Sequence, residues 1–256
     1  MFGMIRRSLV TMLLVGIAAP SAAAQGDGVP HDSIREGASQ LLAQGRGNEA
    51  RILLLRAMRS SNDPIQIATY RVQLGDSFLY DGEYDEAARA YTAVLERGHV
   101  PGGSALAREA HHGLALVDAF NGRSSRAATH YVAALPGGTL RDTVEMLVMT
   151  NQNDSAQKAL DRLAALSHDA QTRQFVQAFR GLSWMMAGHC SQALPEIAKA
   201  PQQDAPIAAA VRGRCAMKHG QRTDALALKD ALLKQSTADP FAWTNLIARD
   251  AARKIG

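Results

Sequence analysis

Aromatic side chains make up only 5% of the 256 residues, and no stretch alternates Val, Ile, Thr and Tyr with polar residues as a half-buried strand requires. That scarcity excludes a sandwich, a barrel and a sheet flanked by helices. Known catalytic signatures are missing too: there is no phosphate-cradling glycine loop, no zinc-binding helix motif of two His and a Glu, and no Gly-x-Ser-x-Gly elbow. No charge of one sign dominates. Lysine and arginine number 28 against 24 aspartates and glutamates, interspersed, so the basic stripe with interleaved aromatics that marks a nucleic-acid binder is absent. Cysteine occurs twice, and neither copy follows the N-terminal apolar stretch, where an exported lipoprotein would carry its lipid.

What remains is ordinary globular composition, 46% hydrophobic and 20% charged, enough to bury a core. The start differs from the rest. Arg6 and Arg7 precede an apolar stretch from Ser8 to Ala19, and Ala22, Ala23 and Ala24 supply small residues before Gln25. This pattern predicts a secretory signal peptide over residues 1–24, cleaved near Ala24/Gln25. The stretch is shorter than the roughly 20 residues of a membrane span, so the expected mature chain has no stable membrane anchor and is periplasmic or secreted. Losing Arg6 and Arg7 takes two from a formal charge of +4 and leaves +2. Residues 25–31 read as a short linker and 32–256 as one helical domain.

One phrase recurs within that domain: glycine, then alanine five residues later, between two helix-like segments. It occurs as Gly45 with Ala50, Gly82 with Ala87, Gly122 with Ala127, Gly188 with Ala193 and Gly220 with Ala225, and in degenerate form as Asn151 with Ala156. Successive spacings are 37, 40, 29, 37 and 32, averaging 35. A hairpin of two helices, each of roughly 12 to 14 residues, with two short turns has this length. Glycine tolerates the left-handed conformation that ends the first helix, and alanine lets the second helix approach closely. Four residues beyond the alanine, on the same helix face, stand Leu54, Tyr91, Tyr131, Leu160 and Ile197. Pro64, Pro101, Pro136, Pro206 and Pro240 punctuate the junctions between hairpins, with Asp63 and Asp239 placed to cap the helices that follow Pro64 and Pro240. Pro195 falls inside a second helix, in its first turn if that helix starts near Ser191.

In the second copy, Leu74, Gly75, Phe78, Gly82, Tyr84, Ala87 and Tyr91 fall at the spacing of the tetratricopeptide repeat (TPR) family, which the chain resembles. The fifth copy keeps Gly181, Trp184, Gly188 and Ala193, and the sixth keeps Gly213, Gly220 and Ala225. The third has Asp118 where an aromatic is usual, and the sixth has Lys229. The resemblance implies an all-α, right-handed solenoid of about six antiparallel helical hairpins. A C-terminal capping helix over Pro240 to Lys254 would turn Arg249, Asp250, Arg253 and Lys254 to water.

The same resemblance implies that positions two, five, nine, twelve and thirteen of each repeat face a concave groove. In copy two these include Asp76, Leu79 and Tyr80, and in copy three His112, Leu116 and Phe120. Copy five supplies Leu182, Met185 and Met186, and copy six supplies Arg214, Met217 and Lys218. As a ligand wall this would be apolar with aromatic and methionine anchors. The competing reading is that Tyr80, Phe120 and Met186 pack against neighbouring helices.

Other constellations are weaker. Adjacent residues on a helix point about 100° apart, so His111 and His112 do not share a metal, although His130 on the paired helix could approach one of them. No metal or cofactor is expected. Cys190 and Cys215 fall on helices expected to pack side by side; an oxidising compartment permits a disulfide, and two thiols more than 7 Å apart are the alternative. Glu83, Asp85, Glu86 and Arg89 read as the solvated face of a second helix.

The expectation is a non-catalytic protein-protein interaction scaffold. It binds a protein or peptide, with no nucleic acid, and assists assembly or organisation of a cell-envelope complex for secretion, pilus formation or polysaccharide export. The alternative is a periplasmic chaperone holding unfolded exported proteins in an apolar groove.

Overall fold

The computed structural model describes residues 31–96, 104–135, 138–166, 169–199, 205–235, 240 and 242–255. The predicted signal peptide, nearly all of the linker, Pro101, Pro136 and Asp239 lie outside them. Among the described residues there is no strand. The helices form six antiparallel pairs: α1 (His31–Ala43) with α2 (Gly47–Ser60), α3 (Pro64–Asp81) with α4 (Tyr84–Glu96), and α5 (Ala105–Phe120) with α6 (Ser124–Ala134). Then come α7 (Leu140–Met149) with α8 (Asn153–Leu166), α9 (Ala170–Met186) with α10 (Cys190–Ala198), and α11 (Ala205–Lys218) with α12 (Arg222–Gln235). A last helix, α13 (Trp243–Ile255), follows. The architecture is an all-α helical repeat of TPR-like hairpins.

Local chemistry sets the helix ends. Asp63 accepts a hydrogen bond from the Ile65 N–H with Pro64 at the first helical position, and Ser104 and Asp169 cap α5 and α9 in the same manner. At α7, Thr139 and Asp142 form a reciprocal capping box. Each hairpin bends at the residue that recurs in the sequence, and all six have positive φ; Gly82 at +83° ends α3, and Asn151, at 58°, is the non-glycine among them. The alanine five residues later is 0% exposed in all six pairs, at Ala50, Ala87, Ala127, Ala156, Ala193 and Ala225, so a larger side chain there would force each hairpin apart. Pro195 is the sixth residue of α10, beyond the first turn, because the helix begins at Cys190. Pro240 stands three residues before α13 and does not open it.

Large residues of the second helices press into glycines of the first. A Cβ on Gly181 would lie 2.5 Å from Ile197 Cδ1. In the sixth pair that place is taken differently. Lys229 stands where the other copies have a bulky apolar residue, and Ile255 of α13 fills the space against Gly213, at 2.5 Å from a Cβ built there.

Helix α13 departs most from expectation. It lies against α3, α11 and α12, and eight of its thirteen residues are buried, Asp250 among them. Its Leu246 and Ile247 join the core of the front hairpins, while Trp243 touches both that core and the second one, formed by α7 to α11. The helix covers the last hairpin as a cap, but it also reaches α3, and of the four residues expected in water Asp250 is buried and Arg249 and Arg253 are half-buried against protein, while Lys254 stays exposed.

Candidate binding site

The first helices α1, α3, α5, α7, α9 and α11 carry the residues expected on a concave wall, and α13 divides that wall in two. Over the rear half, cationic side chains meet the C-terminal ends of first helices, where unpaired carbonyls and the negative end of the helix dipole attract them. Arg249 Nε and Arg253 Nη1 each donate to the Tyr80 carbonyl at 3.0 Å, and Lys254 Nζ donates to the Phe120 carbonyl at 3.0 Å. The Arg249 guanidinium lies 3.7 Å from the Tyr80 ring centre, and burial holds its pKa below the ordinary value. Tyr84 donates to Asp250 Oδ1 at 2.6 Å; burial and this carboxylate push the phenol up to about 12. Leu79, Tyr80, Phe120, Leu182 and Met185 are consequently buried by packing, and Leu116, equally buried, lies ahead of them. Met186 lines, with Met149, Ile247 and Ala251, a residual space of about 30 Å³. Arg214 borders the same space, Met217 packs on the α11–α13 core, and Lys218 donates to the Gly188 carbonyl.

The front half remains open. A cavity of about 620 Å³ lies between α1, α3, α5, the end of α6, α7 and the start of α13. Its walls combine Val72, Leu106, Leu116, Trp243 and Leu246 with Arg35, Gln73, Asp76, Glu109, His112 and Glu145. Asp76 accepts a 2.6 Å hydrogen bond from the Tyr91 hydroxyl, and burial raises its pKa to about 7 despite that bond and the nearby His112 and Arg35. His112 Nε2 lies 2.7 Å from Glu145 Oε1, which also accepts from the Tyr131 hydroxyl at 3.3 Å. Burial alone would lower His112; the bond and charge of Glu145 outweigh it and hold the imidazole above its ordinary value. Acceptors and donors thus share the cavity wall with apolar side chains.

No family model and no curated protein matches the chain. A solved structure is similar to it. That structure is a tetratricopeptide repeat protein from Parabacteroides merdae ATCC 43184, 14% identical, with a TM-score of 0.43 over 85% of this chain and 98% of the other.

The two adjacent histidines diverge as their helical spacing requires. His112 turns to Glu145 on α7, whereas His111 Nδ1 approaches His130 Nδ1 on α6 to 3.1 Å, and burial lowers the pKa of both members of that pair. Asp118, in the usual aromatic place, is 2% exposed and is met by Arg123 at 3.4 Å and Arg126 at 3.3 Å, so an ion cluster substitutes for ring packing. Glu83 pairs with Arg51 and Glu86 with Arg89. Cys190 and Cys215 are joined by a disulfide, their Cα atoms 5.5 Å apart. Sequence reasoning missed Gln73, Glu109, Glu145 and Trp243. Counting back from the bends as for Asp76 puts Glu109 at position two of copy three and Glu145 at position nine of copy four, so the same rule reaches both. Nothing local marks Gln73 or Trp243.

Proposed function

We propose that this chain is a non-catalytic scaffold that holds a segment of a partner protein in the front half of its inner wall. The observation that carries this reading is the 620 Å³ cavity, where apolar walls from α3, α5, α6 and α13 surround convergent polar groups. No group of three or more His, Cys, Asp or Glu residues among the described ones is arranged to hold a metal, and no helix there is long and apolar enough to cross a membrane. The leader-like pattern in residues 1–24 and the Cys190–Cys215 bond support export to an oxidising compartment such as the periplasm, where the scaffold would organise a cell-envelope complex. A holdase for unfolded chains would use the methionine-lined rear, and Met149, Met185 and Met186 instead face α13.

A photo-crosslinking residue at Thr69, on the cavity wall, tests this in the source cell, with Val132, an exposed residue of α6, as control. One or two saturable adducts from position 69 and none from 132 are expected. The same adducts from both positions would remove the cavity from the interaction.

A further inference from the structure

The front cavity holds one acceptor without a donor. Gln73 lines it, is only 5% exposed, and its side-chain oxygen is buried with no hydrogen-bond partner. A buried amide oxygen left unpaired costs about 1–3 kcal/mol, and only a donor relieves it. Four carboxyl groups line the same space, Asp76, Glu109, Asp142 and Glu145, against three basic groups, Arg35, Arg108 and His112. Three of the four have local partners: Asp76 accepts from Tyr91 through Oδ1, Asp142 belongs to the α7 capping box, and Glu145 meets His112 and Tyr131. Leu106, Leu116 and Trp243 line the same space as Asp76, and such an apolar wall suits the methylene stem of a long charged side chain.

We propose that the front cavity receives a lysine or arginine side chain of the bound partner, its charge set against Asp76 and one of its N–H groups donating to Gln73. This rests on the scaffold reading above and names the chemistry of its ligand. Burial holds the Asp76 carboxyl up at about 7 in the empty cavity, so an arriving cation would draw it back to the ionised form. The charges facing Asp76 are Arg35 from α1 and Glu109 and His112 from α5, with the Tyr91 hydroxyl from α4 bonded to it.

The test uses the exported form of the chain, with its disulfide intact, and pools of N-acetylated, C-amidated nonapeptides with degenerate flanks. The central residue is fixed as Lys, Arg, norleucine or Glu. Retention of the Lys and Arg pools should exceed that of the norleucine pool by about tenfold, the usual weight of a hydrogen bond to a charged group. Asp76→Asn, which keeps an acceptor for Tyr91, should erase that preference, with helical circular dichroism reporting separately that the fold is kept. Equal retention of all pools, a preference for Glu, or an undiminished preference in D76N would overturn the assignment. A blocking variant, Leu106→Arg, separates the two levels. If it abolishes retention of pools that show no cation preference, the groove stands and only the ligand chemistry falls. If it changes nothing, or if no pool is retained by any form, both fall. Binding of n-butylammonium as tight as the Lys pool would reassign the cavity to a small diffusible amine and also overturn the proposal.

Discussion

The ring of Tyr91 occupies the space that a side chain on Gly75 would need: a Cβ built there would lie 2.5 Å from Tyr91 Cε1. Gly113, on the next first helix, meets the same ring at 2.3 Å, so one tyrosine from α4 seats α3 and α5 together. The hydroxyl of that ring then reaches Asp76 in the front cavity, which ties the packing of the stack to the geometry of its site. Gly75→Ala and Gly113→Ala should each destabilise by about 1–3 kcal/mol, the range for overpacking a close-packed core. Urea denaturation followed by helical circular dichroism measures it. A stability change within a few tenths of wild type in both variants would show that the ring has room to move.

The disulfide joins α10 to α11 across a sequence separation of 25 residues. In the chain-entropy account, a loop of that length stabilises the folded chain by about 3 kcal/mol. The Cys190→Ser, Cys215→Ser double variant should lose that much, and reductant should lower the wild-type midpoint but not that of the variant. An intact-mass measurement after alkylation without reductant should show no added label.

Folding should also carry a pH signature from the front cavity. The folded chain holds a proton on Asp76 up to about 7, whereas the unfolded chain releases it near the ordinary carboxylate value of about 4. The native state therefore binds more protons across that window, and its contribution to stability is lost as pH rises from about 4 to about 7. His112, held above its ordinary value by Glu145, acts in the same direction as pH rises past about 6.5. His111 and His130, held below theirs, act oppositely, and their contribution is lost as pH falls below about 6.5. Asp76→Asn isolates the first effect: the variant should gain on wild type between about pH 4 and 7 and run parallel above it. Urea midpoints at five or six pH values decide, and parallel curves throughout would mean that Asp76 is ionised in the folded state.

How far the sequence reaches follows from the range of each interaction. A bend is decided by the backbone of one residue, and the alanine that follows by the distance to its paired helix, so Gly45 through Gly220 and their alanines are readable at a fixed offset. Even Asn151 follows this logic, because asparagine tolerates the left-handed region better than most side chains. The inner wall is another matter. Which residues of the first helices stay open depends on α13, whose Arg249 and Arg253 meet Tyr80 across 169 and 173 residues. No periodicity encodes such a contact. The one local hint was Lys229, a copy lacking its bulky residue, and Ile255 is what makes good the deficit.

Arg253 offers the sharpest probe of how α13 is held. Its guanidinium donates to the carbonyls of Tyr80 and Leu79 and approaches the Tyr84 hydroxyl at 3.3 Å, against Gly82, where a Cβ would come 2.6 Å from Arg253 Nε. Arg253→Ala removes a cation from the negative end of α3 and one donor each from the Tyr80 and Leu79 carbonyls, which keep Arg249 and the Gly82 N–H as partners, so a loss of about 1 kcal/mol is expected. Gly82→Ala should displace the same side chain while also straining a residue at φ +83°, and the double variant should cost less than the sum of the two singles. Ending the chain after residue 240 goes further, uncovering Tyr80, Phe120 and Leu182 at once. If α13 closes the rear channel as its contacts indicate, that truncation should bind a hydrophobic dye that the intact chain excludes, while the helical signal of the front hairpins persists. A truncated chain that excludes the dye and keeps the wild-type midpoint would mean that the rear wall packs without α13, and that the helix is only a passenger on the stack.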